Sequence, residues 1–535
     1  MVPGETRSDV ACRDADPTAP TTALDAKERR QLDVIRRFGT IGSLLLAVGS
    51  LGAGAAPVFN PVFQLPVLGL FTRMPTVALA IAFTGMFMIV LGWLALGRLA
   101  WPGRERLISL PQLARTLVMW TAPLVVAVPM FSRDVYSYLA QSEIAARGFD
   151  PYAVGPSQAL GNDDDLTRGV PTMWRDTPSP YGPLFIAVGK VINYLTGAHV
   201  VWGVALHRVL ALIGLALIVW ALPRLARRFG VEPVSALWLG AANPLVLFHL
   251  VVGVHNEALA IGLMLVGFEL ALRRMPRIDP DGPFPPWQRG ELLHYALGAA
   301  VITCGAAVKV PAALALGFLG VMIARRLGGR WRQLLGAAAG LAVIFLVVLA
   351  AAALASGLGR HGFGWVGTLN TASTIKSWMA PMTSLGFAAG GLGIVLGLGN
   401  HIDATIAVSR VIGAVLGPAI AAKLLLDSFR WRLRPLIGLG VGLGAVLLFG
   451  ATVQPWYLLW AALPLAAAAG NTRFRTAATL VSVALAVALP PTGNTFDGHT
   501  FVLPYTYGAA LIVVALGLLL VYRYLPSKPG AIRTP

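Results

Sequence analysis

Phe131-Ser132-Arg133-Asp134-Val135-Tyr136-Ser137-Tyr138, continuing to Gly148-Phe149-Asp150-Pro151-Tyr152, follows directly on the apolar run 113–130. An aspartate is therefore expected where a membrane helix leaves the bilayer and a long polar loop begins. A carboxylate at that depth is costly unless something pairs it or uses it.

The chain around this stretch has the composition of a membrane protein. Of its 535 residues 56% are hydrophobic and only 12% charged, whereas a soluble domain carries about 25% charged residues. Apolar runs near the length of a bilayer recur along it. Backbone groups in lipid must be satisfied within the segment, so these spans are expected to be helices. The alternating pattern of an outer-membrane barrel is absent. The net charge of +18 does not point to nucleic acid, because Lys and Arg fall in short loops between apolar runs, which is a topology signal. The two cysteines, Cys12 in the N-terminal tail and Cys304 within a predicted helix, make no disulfide framework. No signal peptide is evident.

Taken in order, 1–38 reads as a disordered cytoplasmic tail and 39–525 as a transmembrane domain. Predicted helices cover 39–58, 76–96 and 113–130, the last leaving outward at Asp134. The loop 132–182 holds seven acids and four arginines, the reverse of the overall bias, and belongs outside. Within it, 135–147 suits a short amphipathic helix on the membrane surface, Asn162-Asp163-Asp164-Asp165 a polar tip, and Ser179-Pro180-Tyr181-Gly182-Pro183 a rigid turn. An interfacial helix over 183–195 completes the first outer segment, 131–199.

Helices over 200–222, 233–253 and 258–272 alternate between arginine clusters at 224–228 and 273–277. Two short runs, 292–308 and 311–324, meet at Lys309-Val310-Pro311, where proline forbids a continuous regular helix. A span over 333–356 leads to the second outer segment, 357–403, whose Gly-rich part, 383–399, is expected to be re-entrant or to lie on the surface. Spans over 404–425, 435–452, 457–469, 476–489 and 503–522 finish the domain, and 526–535 is a cytoplasmic tail. The expectation is an all-α polytopic protein of about 14 transmembrane helices with long outer loops.

This topology gathers the chemistry-bearing residues on the outer face. Asp134 has two readings: an ion pair with Arg133, or a base that takes a proton from a hydroxyl. His255-Asn256-Glu257 could cap the following helix, with Asn256 as N-cap, or could bind hydroxyl groups through amide and carboxylate. Lys309, between two short helices, is poorly placed to snorkel and wants an anion. Lys376, Arg360 and Arg410 are further phosphate candidates, or plain headgroup contacts. Gln454-Pro455-Trp456-Tyr457 reads as an aromatic belt or as a cavity mouth for a lipid chain or a ring face. Tyr138, Tyr152 and Tyr181 complete the outer set, with His207 and Arg208 in the outer third of the bilayer. Walker, dinucleotide and zinc motifs are absent, and the triplet at 255–257 has no metal-ligand spacing. A divalent cation (Mg or Mn) is the one cofactor left open.

With Asp134 in its Ser132–Tyr138 setting, Asp150-Pro151-Tyr152, Ser179–Pro183, His255-Asn256-Glu257 and Gln454–Tyr457, the chain resembles the actinobacterial polyprenol-phosphate-mannose-dependent α-1,6-mannosyltransferases. These build the mannan of lipomannan and lipoarabinomannan and belong to the GT-C superfamily. The resemblance covers about residues 40–520. It implies a GT-C fold, a polyprenyl-phosphate mannose donor, a lipid-linked mannan acceptor, and inversion at the anomeric carbon. It also implies a plasma-membrane enzyme with its site on the extracytoplasmic face. The family's acidic base maps onto Asp134, although here it follows the third predicted helix, whereas many GT-C enzymes place theirs after the first. Lys309, Lys376, Arg410 and Trp456 would face the donor's phosphate and lipid. Tyr138, Tyr152, Tyr181, His255, Asn256, Glu257 and Gln454 would face the sugars. The competing reading is a transporter or flippase for a lipid-linked sugar. It predicts paired interruptions in two halves, but Lys309–Pro311 has no mate.

Overall fold

The computed structural model describes residues 23–278, 285–357, 364–368, 376–377, 379–492 and 503–524. Residues 1–22 of the expected tail 1–38, the expected tail 526–535, and the candidates Arg360 and His361 lie outside the described residues.

Every regular element among the described residues is a helix. The first, α1 (Ala26–Ala53), begins well inside the expected tail because Asp25 and Glu28 form a capping box, with reciprocal bonds of 2.8 and 3.1 Å. Arg106 and Arg104 grip the same two carboxylates at 2.7 and 2.8 Å. α2 (Pro75–Ala100) packs along α1 through small residues. A Cβ on Gly49 would meet the Ala82 nitrogen at 2.6 Å, so the helices approach backbone to backbone.

The predicted span 113–130 is helical only in part. α3 (Leu110–Thr121) gives way to a 3-10 turn, Ala122–Val126, because Pro123 and Pro129 remove backbone donors. α4 (Asp134–Ala146) follows. It does not lie on a surface as an amphipathic helix would, since Val135 to Ala145 are all buried. α5 (Pro183–Thr196) and α6 (Val200–Arg228) cover it, Gly189 against Ser142 and Gly203 against Leu139.

The run 233–253 is not one helix either. A short helix, Pro233–Leu239, breaks at Gly240, and the chain resumes as a π-helix, Val246–Val252. It then turns through 110° into α7 (Glu257–Leu272). π-helical segments are rare and concentrate at functional sites. The break at Lys309 is present: α8 (Glu291–Ala306) and α9 (Leu314–Arg326) are joined by extended backbone at Lys309 and a 3-10 turn, Val310–Ala313.

Beyond it come α10 (Trp331–Ala355), α11 (Pro381–Val395) and α12 (Ile402–Phe429). The Gly-rich segment forms α11, which pairs antiparallel with α12, Gly386 against Ile406 and Gly390 against Ile402. α13 (Pro435–Leu448), α14 (Leu458–Ala468), α15 (Thr472–Ala488) and α16 (Leu503–Tyr524) close the chain. Among the described residues α1, α2, α6, α10 and α12 are long and apolar enough to cross a membrane, and the bent pair at 246–272 would be a sixth span. The other expected spans are shorter or broken helices.

Two interrupted segments satisfy each other. The last carbonyls of a helix and its first N–H groups have no partners within it. At the end of α8, the Val308 and Ala307 carbonyls accept from the Gly182 and Leu184 N–H groups that open α5, at 3.2 and 3.1 Å. A Cβ on Gly182 would sit 2.2 Å from the Ala307 oxygen, so the Ser179–Pro183 turn needs glycine there. Gly182→Ala should therefore push α5 off the α8 break and cost roughly 1–3 kcal/mol. Thermal unfolding of the purified protein measures this, and an unchanged midpoint would show that the two segments do not dock.

Candidate active site

Three interruptions in the helical frame deliver the site's side chains. The turn between the π-helix and α7 supplies His255, Asn256 and Glu257. The α8–α9 break supplies Lys309. The 3-10 turn Pro455–Tyr457 supplies Trp456 and Tyr457. Asp134 opens α4 beside them.

Glu257 is fully buried. Its Oε1 accepts from the Lys309 ammonium and, at 2.9 Å, from the indole N–H of Trp456. The Trp456 ring stacks on His255 with centroids 3.8 Å apart. His255 Nδ1 lies 3.4 Å from Asp134 Oδ2 and 3.9 Å from Glu257 Oε2. A chain of charge and stacking thus runs from Lys309 through Glu257, Trp456 and His255 to Asp134. The Lys309 ammonium also lies 5.5 Å from the centre of the Tyr457 ring.

The two carboxylates differ in exposure, 0% for the Glu257 side chain and 25% for Asp134. Among the described residues no ion pair joins Arg133 to Asp134; Arg133 donates to the Gly169 and Ala56 carbonyls at 3.1 and 3.5 Å. The Asp134 N–H donates to Ser132 Oγ at 3.0 Å. Burial by itself would push the Asp134 carboxyl up. The facing His255, then the positive charge of Lys309, outweigh it and hold the carboxyl below its ordinary range. Asp134 is therefore ionised, partly accessible and able to accept a proton.

Asn256 occupies the N-cap position of α7, but its side chain makes no cap bond. Its amide oxygen and nitrogen, both ring nitrogens of His255 and Oε2 of Glu257 are buried without a hydrogen-bond partner among the described residues. Buried polar groups are normally paired, so this cluster of donors and acceptors suits a hydroxyl-rich ligand better than a helix cap. The Asn256 N–H donates to the Tyr138 hydroxyl at 3.3 Å. Tyr138 stands edge-on to Tyr181, centroids 4.9 Å apart, and the Tyr152 hydroxyl braces the Tyr181 carbonyl at 3.0 Å. Tyr152 is thus a support behind the site. Gln454 opens the Pro455 turn, its carbonyl accepting from the Tyr457 N–H at 3.0 Å.

Two phosphate candidates are not brought here by any contact among the described residues. Lys376 pairs with Asp403 at 2.5 Å, and Arg410 on α12 donates to Thr383 Oγ1 at 3.0 Å. Arg208 is a brace: its guanidinium donates to the Val251 and Val252 carbonyls ending the π-helix and to Val125, at 3.3, 3.4 and 2.8 Å. The sequence reading missed His249, on the π-helix, buried between Phe131 and Trp456 with centroids at 5.0 and 5.3 Å. Its one signal was a histidine inside an apolar run, six residues before His255. No group of three or more His, Cys, Asp or Glu among the described residues is arranged to hold a metal ion.

Residues 36–325, which hold Asp134, His255, Glu257 and Lys309, match the family described as Alpha-(1->6)-mannopyranosyltransferase, N-terminal domain. Residues 382–519, which hold Trp456, match the MptB C-terminal domain. A Mycolicibacterium smegmatis protein named as a probable alpha-(1->6)-mannopyranosyltransferase is 45% identical over 98% of this chain and 94% of its own length. An alpha-(1->6)-mannopyranosyltransferase of Mycobacterium tuberculosis is 44% identical over 98% and 93%. Alpha-(1->6)-mannopyranosyltransferase B of Corynebacterium glutamicum is 35% identical over 94% and 83%.

The buried pair makes a prediction independent of activity. Removing one partner of a buried ion pair costs about 3–5 kcal/mol, because the other charge is stranded. Glu257→Gln and Lys309→Met should each destabilise the protein strongly, and the double variant should recover much of the loss. Additive unfolding shifts in this double-mutant cycle would mean that the pair does not form in the membrane.

Proposed function

The chain belongs to the alpha-(1->6)-mannopyranosyltransferase family, and from that premise we propose that it transfers mannose from polyprenyl-phosphate mannose to a lipid-linked α-1,6-mannan acceptor with inversion. The acceptor is a precursor of lipomannan and lipoarabinomannan. On this reading the fold is of the GT-C type with about 14 membrane segments, and the site faces the outside of the plasma membrane. The observation that carries the chemistry is Asp134, ionised and partly exposed beside a buried polar cluster.

In the proposed step the Asp134 carboxylate accepts the proton of the acceptor mannose 6-hydroxyl. The oxygen attacks the anomeric carbon from the face opposite the phosphate, forming the new glycosidic bond. The bond from that carbon to the phosphate oxygen breaks, and polyprenyl phosphate leaves with the electron pair. Glu257, itself held by the Trp456 indole N–H, fixes Lys309, whose remaining N–H groups stabilise the charge that gathers on the departing phosphate. Asn256, His255 and Tyr138 orient sugar hydroxyls, and Tyr181 and Gln454 border them.

The test uses membranes, radiolabelled polyprenyl-phosphate mannose and a short α-1,6-mannoside acceptor. Asp134→Asn keeps size and one acceptor oxygen but cannot take the proton, so transfer should fall by roughly 10²–10⁴-fold with the protein still in the membrane. Near-normal turnover would move the base elsewhere.

The pH dependence has a definite sign. A carboxyl held low stays a base until the pH falls through its lowered pKa. His255→Gln removes the main influence holding Asp134 down and leaves the burial that pushes it up. The acid limb of the rate profile should therefore move to higher pH. An unshifted limb would mean that Asp134 is not the titrating base.

A further inference from the structure

The basic loops at 224–228, 273–277, 325–332 and 430–434, whose arginines mark the cytoplasmic side, converge on one cavity of about 670 Å³. It opens where α6, α7 and α9 end and α13 begins. α7 starts at Glu257 in the candidate active site and ends at Leu272, three residues before Met275 on the cavity wall. Its 16 residues separate the two regions by roughly 24 Å, so the cavity is no part of the transfer site.

Arg228, Arg277, Arg325, Arg432 and Arg434 line this cavity, and none of its described lining residues is Asp or Glu. Carboxylates on the same elements form their ion pairs with other cations, Glu269 with Arg273 at 2.8 Å and Asp427 with Lys423 at 2.5 Å, and reach the cavity only through space, Glu269 toward Arg228 and Asp427 toward Arg432. Backbone carbonyls orient four of the guanidiniums. Arg228 donates to Met275 at 2.7 Å, Arg277 to Arg227 at 3.5 Å, Arg434 to Phe229 at 3.2 Å, and Arg325 to Ser428. Carbonyls hold a guanidinium in place but do not neutralise it.

Arg325 is the informative member. It is only 7% exposed, its guanidinium lies 3.9 Å from the centre of the Trp431 ring, and its buried Nε has no partner among the described residues. An enclosed charge without a counter-ion costs several kcal/mol. The guanidinium fork matches the oxygens of a phosphate.

An apolar groove of about 620 Å³ runs beside the cavity, between α9, α10 and α12. The two are neighbours along the chain: Val321 walls the groove and Met322 the cavity, Phe429 the groove and Trp431 the cavity. A cationic pocket adjoining an apolar groove is complementary to one charged head and one hydrocarbon chain.

We propose that the arginine cavity binds the phosphate headgroup of an anionic phospholipid, in the leaflet away from the active site, with an acyl chain of that lipid in the adjoining groove. No residue of this site takes part in the proposed transfer chemistry. Its ligand is a lipid already resident in the membrane.

The test is native mass spectrometry of the full-length protein in detergent, offered phosphatidylglycerol or phosphatidylcholine with matched chains. Wild type should retain phosphatidylglycerol in preference. Arg277→Gln/Arg432→Gln/Arg434→Gln removes three charges at the rim and spares Arg325. It should bind that lipid at least roughly tenfold more weakly. Arg330→Gln/Arg332→Gln, at exposed arginines outside the cavity, should bind like wild type. Equal retention by the triple variant overturns the proposal, and so does an equal loss in the Arg330/Arg332 variant, which would mark a general surface attraction. Inorganic phosphate that binds as well as the lipid would assign the cavity to a free anion and overturn the lipid. If the triple variant misfolds, Arg432→Glu takes its place. The Arg432 side chain makes no hydrogen bond among the described residues, and reversing its charge must weaken phosphatidylglycerol binding for the proposal to stand.

Discussion

The Glu257 carboxylate has no exposed surface, and the centre of the fold depends on how that charge is compensated. A buried carboxylate is tolerated only when paired and hydrogen-bonded. Its partners, Lys309 and the Trp456 indole N–H, come from segments 52 and 199 residues away in sequence. Each sits where a helix has stopped. The ion pair therefore ties three interruptions to one point, and each interruption must also settle its own backbone. Arg208 satisfies the end of the π-helix, and the opening N–H groups of α5 satisfy the end of α8. Non-helical backbone at membrane depth is tolerated only where it is buried in protein or lines a cavity, so the breaks and the site occur together.

How much of this was legible in the sequence follows from the range of each interaction. Pro311 beside Lys309 announces a break because proline acts on its own helix, and Asp134 after a long apolar run announces a polar site for an equally local reason. The Ser179–Pro183 signal is local too: the chain bends at Tyr181 and a helix opens at Pro183. The Lys309–Glu257 pair is not legible, since nothing near either residue names its partner. Read by charge and side of the membrane alone, Lys376 and Arg410 look as good as Lys309; only the fold separates them. The run 233–253 reads as one span because its composition is uniformly apolar, whereas Gly240 and the π-helical turn depend on tertiary packing. α4 failed as a surface helix for the complementary reason. Ser137, Gln141, Ser142 and Glu143 look like a solvated face, but α5 and α6 bury them. Counting apolar runs likewise overstates the helices long enough to span, because several runs are divided between short helices.

The two carboxylates of the site show how environment assigns roles to like groups. Glu257 is enclosed, fixed by a cation and an indole, and can neither move nor meet solvent. Asp134 is a quarter exposed and faced by an imidazole. The same chemical group serves as an anchor in one place and as a base in the other. Trp456 and His255 lie between them, stacked with centroids 3.8 Å apart.

On the proposed reaction, pairing Lys309 with Glu257 also shapes the energetics of the leaving group. The donor is a phosphodiester with one negative charge, and the departing polyprenyl phosphate gains a second as the bond to the sugar breaks. An unpaired ammonium would attract the diester strongly in the ground state, and binding that is equal in ground and transition states does not speed the step. An ammonium already shared with Glu257 attracts the diester less. As negative charge gathers on the phosphate, the ammonium, still held by Glu257, attracts it more strongly. The stabilisation then falls mainly on the transition state, where it lowers the barrier. The same sharing favours release, because Glu257 leaves the ammonium compensated when the lipid phosphate departs.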